Sequence, residues 1–122
     1  MPKIALLLAF FCSLATPECF AHARLSRAEP AARSTLNAAP TRLRLSFNEA
    51  VEAKYSSVEL RGPSGAVSGL GPLSAPEERT LELALPPLPA GRYDVHYRVL
   101  SADGHVIEAD YRFSVQDAPA AQ

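Results

Sequence analysis

Apolar and polar residues alternate with a period of two along most of the chain beyond residue 40. Five runs carry this pattern at their apolar positions: Leu43, Leu45 and Phe47; Val58 and Leu60; Leu81, Leu83 and Leu85; Tyr93, Val95, Tyr97 and Val99; and Ile107, Ala109, Tyr111, Phe113 and Val115. Such alternation is typical of strands with one buried face. With a short strand near Arg24 to Ala28, the pattern predicts six or seven strands, and no segment has a helical period.

Glycine, proline and other turn-forming residues between the runs predict where the strands end. Gly62-Pro63-Ser64-Gly65 is a turn, and the proline-rich stretch 86–91 stops one strand and begins the next, since proline cannot donate to a central ladder. Asp103-Gly104 predicts a two-residue hairpin. Residues 30–40 and 69–78 are expected to be loops. Short alternating strands with turns between them indicate an all-β antiparallel sandwich or a small barrel, and the single apolar face of each strand favours the sandwich.

The first 21 residues have the composition of a secretory signal peptide. Lys3 precedes the apolar run 4–14, and Cys19 and Ala21 are small residues at the −3 and −1 positions of a cleavage site. The run is too short to cross a bilayer, which needs about 20 apolar residues. We therefore predict export, a mature domain at 22–122, and a frayed tail at 116–122. A cut after Ala15 and an uncleaved anchor are the alternatives.

Cleavage after Ala21 changes the chemistry available to the protein. It removes both cysteines, Cys12 and Cys19, and the single methionine, Met1, so any metal must be bound through nitrogen and oxygen. Eleven basic and twelve acidic residues remain once Lys3 and Glu18 are subtracted from the totals of 12 and 13. No basic block stands out among them, and a nucleic-acid partner therefore has no electrostatic support.

The same cut makes His22 the first residue, with an α-amine and an imidazole on one position. Asp103-Gly104-His105 offers a carboxylate and a second imidazole two positions apart, around a glycine that leaves the space between them clear. Three nitrogens and one carboxylate oxygen suit square-planar or tetragonal Cu(II). Structural zinc would more often recruit cysteine, and calcium would need six or more oxygens. The predicted metal ligands are thus His22, Asp103 and His105.

Two further residues have weaker claims. His96 falls on the polar face of its strand and is predicted to be a solvent-facing sheet residue, not a ligand. Glu49 ends a strand that could lie near the same edge as the ligands. We expect it to be either an outer-shell acceptor beside the metal or a solvated carboxylate, and both interpretations stay open.

The chain resembles the CopC copper-resistance family over nearly all of its mature length. The resemblance is carried by His22-Ala23-Arg24-Leu25, by Leu43 to Glu49 in LRLSFNE, and most specifically by the stretch 89–105, PAGRYDVHYRVLSADGH. It implies an immunoglobulin-like Greek-key β-sandwich and Cu(II) ligation by His22, Asp103 and His105, with Glu49 nearby. The antibody landmarks Cys and Trp are absent from the mature chain. A second, Cu(I) site of some members uses a methionine-rich loop, for which this chain has no mature methionine.

The resemblance also implies a non-enzymatic, periplasmic Cu(II) carrier or sequestering protein and an inner-membrane partner of the CopD type. We expect the protein to be a monomer. Two alternatives from other classes remain. A copper oxidase with an N-terminal histidine brace would share the amine-and-imidazole ligation but needs an open coordination position. A metal-free β-sandwich interaction module would use Asp103-Gly104-His105 only as a turn.

Overall fold

The computed structural model describes residues 24–117 of the 122-residue chain. Within this range the chain forms strands and no helix, and hence no helix that could span a membrane. The nine strands are β1 Leu25–Glu29, β2 Thr35–Leu36, β3 Arg42–Phe47, β4 Val51–Gly62, β5 Gly65–Ala66, β6 Ser74–Glu77, β7 Thr80–Ala84, β8 Gly91–Ser101 and β9 Val106–Val115.

These strands form two sheets. One sheet has the order β1-β3-β7-β6 and the other the order β2-β9-β8-β4-β5. Every described pairing is antiparallel except that of β2 with β9. If β2 and β5 are set aside, the remaining strands reproduce the A-B-E-D and G-F-C orders of immunoglobulin domains. The predicted immunoglobulin-like sandwich is therefore confirmed, with seven principal strands and two short additions.

The alternation in the sequence places the core between the two sheets. The buried apolar residues are Leu43, Leu45, Phe47, Val51, Leu60, Leu81, Leu83, Leu88, Tyr93, Val95, Tyr97, Val99, Phe113 and Val115. Tyr93 stacks on Phe113 with ring centroids 5.4 Å apart, whereas Phe47 meets Tyr97 edge-on across the sheets at 5.9 Å. Both arrangements are favourable for aromatic quadrupoles.

Tyr93 marks the corner at which the chain passes from one sheet to the other. Its side chain is 1% exposed, and its hydroxyl donates to the Pro89 carbonyl at 2.5 Å. A tyrosine near the start of the sixth principal strand, bonded a few residues upstream, is the tyrosine corner of immunoglobulin-like sandwiches. The sequence contained this signal, a tyrosine four residues after a proline-rich stop, although the cysteine and tryptophan landmarks are missing.

Four local predictions were wrong. The stretch 30–40 is not all loop, because it contains β2, which pairs with the end of β9. The stretch 69–78 contains β6, whose four residues are all exposed and so leave no alternation to detect. β4 begins at Val51, well before the predicted run, and the register shift between Glu52 and Ser57 interrupts its pattern there. The fourth correction concerns the hairpin at Asp103-Gly104, described below.

The predicted frayed tail begins one position after β9. Gln116 is tied down, since its backbone N–H donates to the Leu36 carbonyl at 2.8 Å. Residues 118–122 lie outside the described range, as does the predicted signal peptide at 1–21.

Candidate metal centre

The hairpin that joins β8 to β9 carries Asp103 and His105. The Ser101 N–H donates to the His105 carbonyl at 2.9 Å, and the Gly104 N–H donates to the Ser101 carbonyl at 3.0 Å. The loop therefore has three residues, 102–104, and not the two predicted from Asp103-Gly104. Gly104 has φ of 89°, the left-handed position that follows a type I turn in three-residue hairpins. Asp103 and His105 therefore both lie at the end of the sandwich where β8 connects to β9.

Asp103 is held in place by Ser101, which is 1% exposed. The Ser101 hydroxyl donates a short hydrogen bond to Asp103 Oδ1, and the His105 backbone N–H approaches the same oxygen at 3.3 Å. The Ser101 bond, followed by the His105 side chain, lowers the pKa of Asp103 to about 2. The carboxylate is thus ionised at all but strongly acidic pH, as a metal ligand must be.

His105 completes the described part of the site. Its Nδ1 lies 3.0 Å from Asp103 Oδ2. Nitrogen and oxygen donors bind metals such as zinc at roughly 2.0–2.1 Å, so two donors at adjacent corners of a square would lie about 2.9 Å apart. The contact is a hydrogen bond that a bound ion would replace; its length matches the edge of such a square, and both side chains are half-exposed. The structure thus brings Asp103 and His105 together as predicted.

The turn 48–50 between β3 and β4 places Glu49 at the same end of the sandwich. Within this turn the Ala50 carbonyl accepts a hydrogen bond from the Ala102 N–H at 2.9 Å, and Val51 pairs with Ser101. Glu49 is partly exposed and lies one residue from that contact. Its role, as an outer acceptor or as a solvated carboxylate, stays a prediction.

His22 lies outside the described residues, and its ligation stays a prediction. The chain two residues further on, however, is fixed. Arg24 donates its N–H to Asn48 Oδ1 at 2.5 Å, and the Arg24 carbonyl accepts from the Asn48 N–H at 3.0 Å. Two residues of extended chain reach about 7 Å. The chain therefore enters the fold at the turn that contacts the hairpin loop.

Among residues 24–117, no three histidines, cysteines or carboxylates are arranged to hold a metal ion. This range includes His96, which lies on the outer face of β8 as predicted. Its Nδ1 forms a short hydrogen bond with Asp110, and its Nε2 lies 2.8 Å from Glu108 Oε1. The bond to Asp110, then that to Glu108, raises the pKa of His96. The alternation placed His96 on the polar face but could not reveal its two carboxylate partners on β9.

A family model described as the CopC domain matches residues 25–116. Protein YobA of Escherichia coli K12 is 36% identical over an alignment of 107 residues that covers 85% of this chain and 86% of that protein. A copper resistance protein C of Escherichia coli is 31% identical over an alignment of 106 residues that covers 79% of this chain and 82% of that protein.

Solved structures show the same relationship. CopC from Methylosinus trichosporium OB3b superposes with a TM-score of 0.70 at 34% identity, covering 83% of this chain and 100% of that one. PcoC, described as a methionine-rich copper resistance protein from Escherichia coli, gives a TM-score of 0.69 at 31% identity, covering 79% of this chain and 100% of that one.

Proposed function

Because the chain belongs to the CopC family, we propose that it is an exported periplasmic protein that binds Cu(II) and sequesters or delivers it. One observation carries the proposal. Asp103 Oδ2 and His105 Nδ1 lie 3.0 Å apart in the β8–β9 hairpin, whose loop contacts the turn to which Arg24 is hydrogen-bonded. If a signal peptide is removed after Ala21, the mature chain would begin at His22, two residues before Arg24. Its α-amine and imidazole would supply the remaining nitrogen ligands.

The chemistry of the proposed donor set favours Cu(II). The described donors are a carboxylate and an imidazole, and the sequence after residue 21 contains neither cysteine nor methionine. Soft Cu(I) prefers thiolate and thioether ligands. The chain thus differs from the PcoC structure described as methionine-rich, and we propose a Cu(II)-only protein.

We further propose that the protein is a monomeric carrier without catalytic activity, which exchanges copper with an inner-membrane protein of the CopD type. Asp103 would fill the fourth coordination place, which a histidine-brace oxidase must keep open for its substrate. A mature domain of 101 residues (122 − 21) would also leave little surface for a substrate platform. Release of oxidised product from ascorbate or a polysaccharide would instead favour the oxidase.

The proposal is tested by the intact mass of the exported protein and by Cu(II) titration followed by EPR. We expect the mass of a chain that begins at His22. We also expect one Cu(II) bound per chain, with an EPR spectrum typical of tetragonal Cu(II). One residue added before His22 should weaken binding by more than the roughly 10–100-fold typical of losing an outer-shell partner, since the α-amine, a direct ligand, leaves the chelate ring. Unchanged affinity would contradict the role of the amine.

The ligand assignment has a matched pair of variants. His105→Ala should alter the EPR spectrum, whereas His96→Ala removes a histidine from the same two-strand hairpin and should leave the spectrum unchanged. The opposite result would contradict the assignment. A wild-type protein that takes up no Cu(II) would favour the metal-free interaction module.

A further inference from the structure

The two halves of the proposed copper site come from different sheets. The chain enters through Arg24 into β1 of the four-stranded sheet, while Asp103 and His105 follow β8 of the five-stranded sheet. No strand is shared between the two sheets among residues 24–117. The distance between the two halves therefore depends on the contacts that join the two sheets at this end.

The turn 48–50 makes such contacts on both sides. On one side Asn48 binds both backbone groups of Arg24, accepting its N–H through Oδ1 at 2.5 Å and donating its own N–H to the Arg24 carbonyl at 3.0 Å. On the other side the Ala50 carbonyl accepts the Ala102 N–H at 2.9 Å, next to Asp103. Three consecutive residues thus connect the entry of the chain to the hairpin loop.

Only one of these contacts depends on a side chain. The backbone hydrogen bonds at positions 48 and 50 can form whatever the side chain there. The hydrogen bond from the Arg24 N–H to Asn48 Oδ1 instead needs a side-chain acceptor oxygen, which asparagine or aspartate can supply at this distance. Asn48 and Arg24 are both exposed, and loss of such a bond should change the stability of the fold little. A side chain that holds the backbone two residues from His22, and matters little for folding, is suited to positioning.

Resting on the proposed function, we infer that Asn48 is a positioning residue for copper binding: it holds the Arg24 backbone beside the turn that contacts the loop of Asp103. Misplacing one ligand-bearing segment lowers metal affinity without removing a donor. Outer-shell partners of metal ligands typically contribute 10–100-fold in affinity. The loss expected here is about tenfold, because the backbone bond from Asn48 to Arg24 remains.

The experiment compares the mature chain with Asn48→Ala, Asn48→Asp and Ser26→Ala. Asn48→Ala should lower Cu(II) affinity about tenfold, change the copper hyperfine splitting in EPR, and speed hydrogen exchange at the Arg24 amide in the copper-free protein. Asn48→Asp keeps an acceptor oxygen and should restore slow exchange and the wild-type spectrum. Ser26→Ala removes the bond from Ser26 Oγ to the Ser46 carbonyl, 3.1 Å on the same pair of strands, and should leave affinity and spectrum unchanged.

The outcomes separate this inference from the proposed function. If the wild type binds Cu(II) and Asn48→Ala matches it in affinity and spectrum, the inference is overturned while the proposed function stands. If Ser26→Ala weakens binding as much as Asn48→Ala, general loosening of β1 and β3 explains the effect and the inference also fails. A wild type that binds no Cu(II) overturns the proposed function, and the inference with it.

Discussion

The hydroxyl of Tyr93 should stabilise the sandwich in a way that a second tyrosine hydroxyl does not. Tyr93 is buried and donates to the Pro89 carbonyl at 2.5 Å, which fixes the proline-rich connection to the start of β8. Tyr111 Oη is also buried, but it has no hydrogen-bond partner among residues 24–117. The change from tyrosine to phenylalanine removes the same atom at both positions, so the pair isolates the hydrogen bond.

The expected magnitude follows from these environments. A hydrogen bond of this type contributes about 1 kcal/mol net, and Pro89 is exposed enough for water to satisfy its carbonyl in the variant. Tyr93→Phe should therefore cost about 1 kcal/mol, which lowers the Tm of a domain of this size by about 4–8 °C. Tyr111→Phe removes an unsatisfied buried group and should leave stability unchanged or raise it.

Thermal and urea unfolding, followed by far-UV circular dichroism, would measure both variants, with equal m-values showing that the denatured state is unaffected. An equal loss of stability in the two variants would refute the reasoning. It would show that the cost arises from repacking around a missing hydroxyl and not from the bond at the corner.

Three other predictions follow from the same structure. Gly62→Ala should destabilise the fold by about 1–3 kcal/mol, because the new Cβ would lie 2.6 Å from Cε1 of Tyr93, whose ring is stacked on Phe113. Urea unfolding measures this, with Ser64→Ala as the control, and a loss of stability below that of the control would contradict it. His96 should titrate above 6.5 by NMR, and Asp110→Asn should lower its pKa more than Glu108→Gln does. Because the folded pKa is raised, His96 should stabilise the fold below pH 6.5 and lose that contribution as the pH rises through the folded pKa. An unchanged pH profile of stability in His96→Gln would argue against this. Ser101→Ala should raise the pKa of Asp103 from about 2 towards 3.8, as measured by carboxyl NMR titration. In the wild type, the contribution of Asp103 to the free energy of unfolding should be present above pH 3.8 and lost as the pH falls towards 2. An unshifted titration in the variant would mean that the Ser101 hydroxyl does not hold the carboxylate.

The candidate site was predictable where its residues are neighbours in the chain. Asp103 and His105 were predicted from their spacing around Gly104, and the structure places their donors 3.0 Å apart. The role of Ser101 was hidden, because a buried serine two residues from an aspartate has no distinct pattern until the loop length is known. Asn48 was hidden for another reason, since its partner Arg24 is 24 positions away.

By itself, the sequence determined the principal strands with one apolar face and most of the residues that face the core, and it supplied the prediction that Asp103 and His105 bind a metal. These follow from local periodicity and composition, which need no knowledge of neighbours. Only the tertiary structure decided that β2 and β6 are strands, that the β8–β9 hairpin has three loop residues, and that the turn 48–50 connects the chain entry to that loop. The pairing of β2 and the contacts of the turn 48–50 depend on partners distant in sequence. The pairing of β6 and the loop of the hairpin are local, but the four β6 residues are all exposed and the loop length is set by backbone hydrogen bonds, so the alternation of side chains indicates neither.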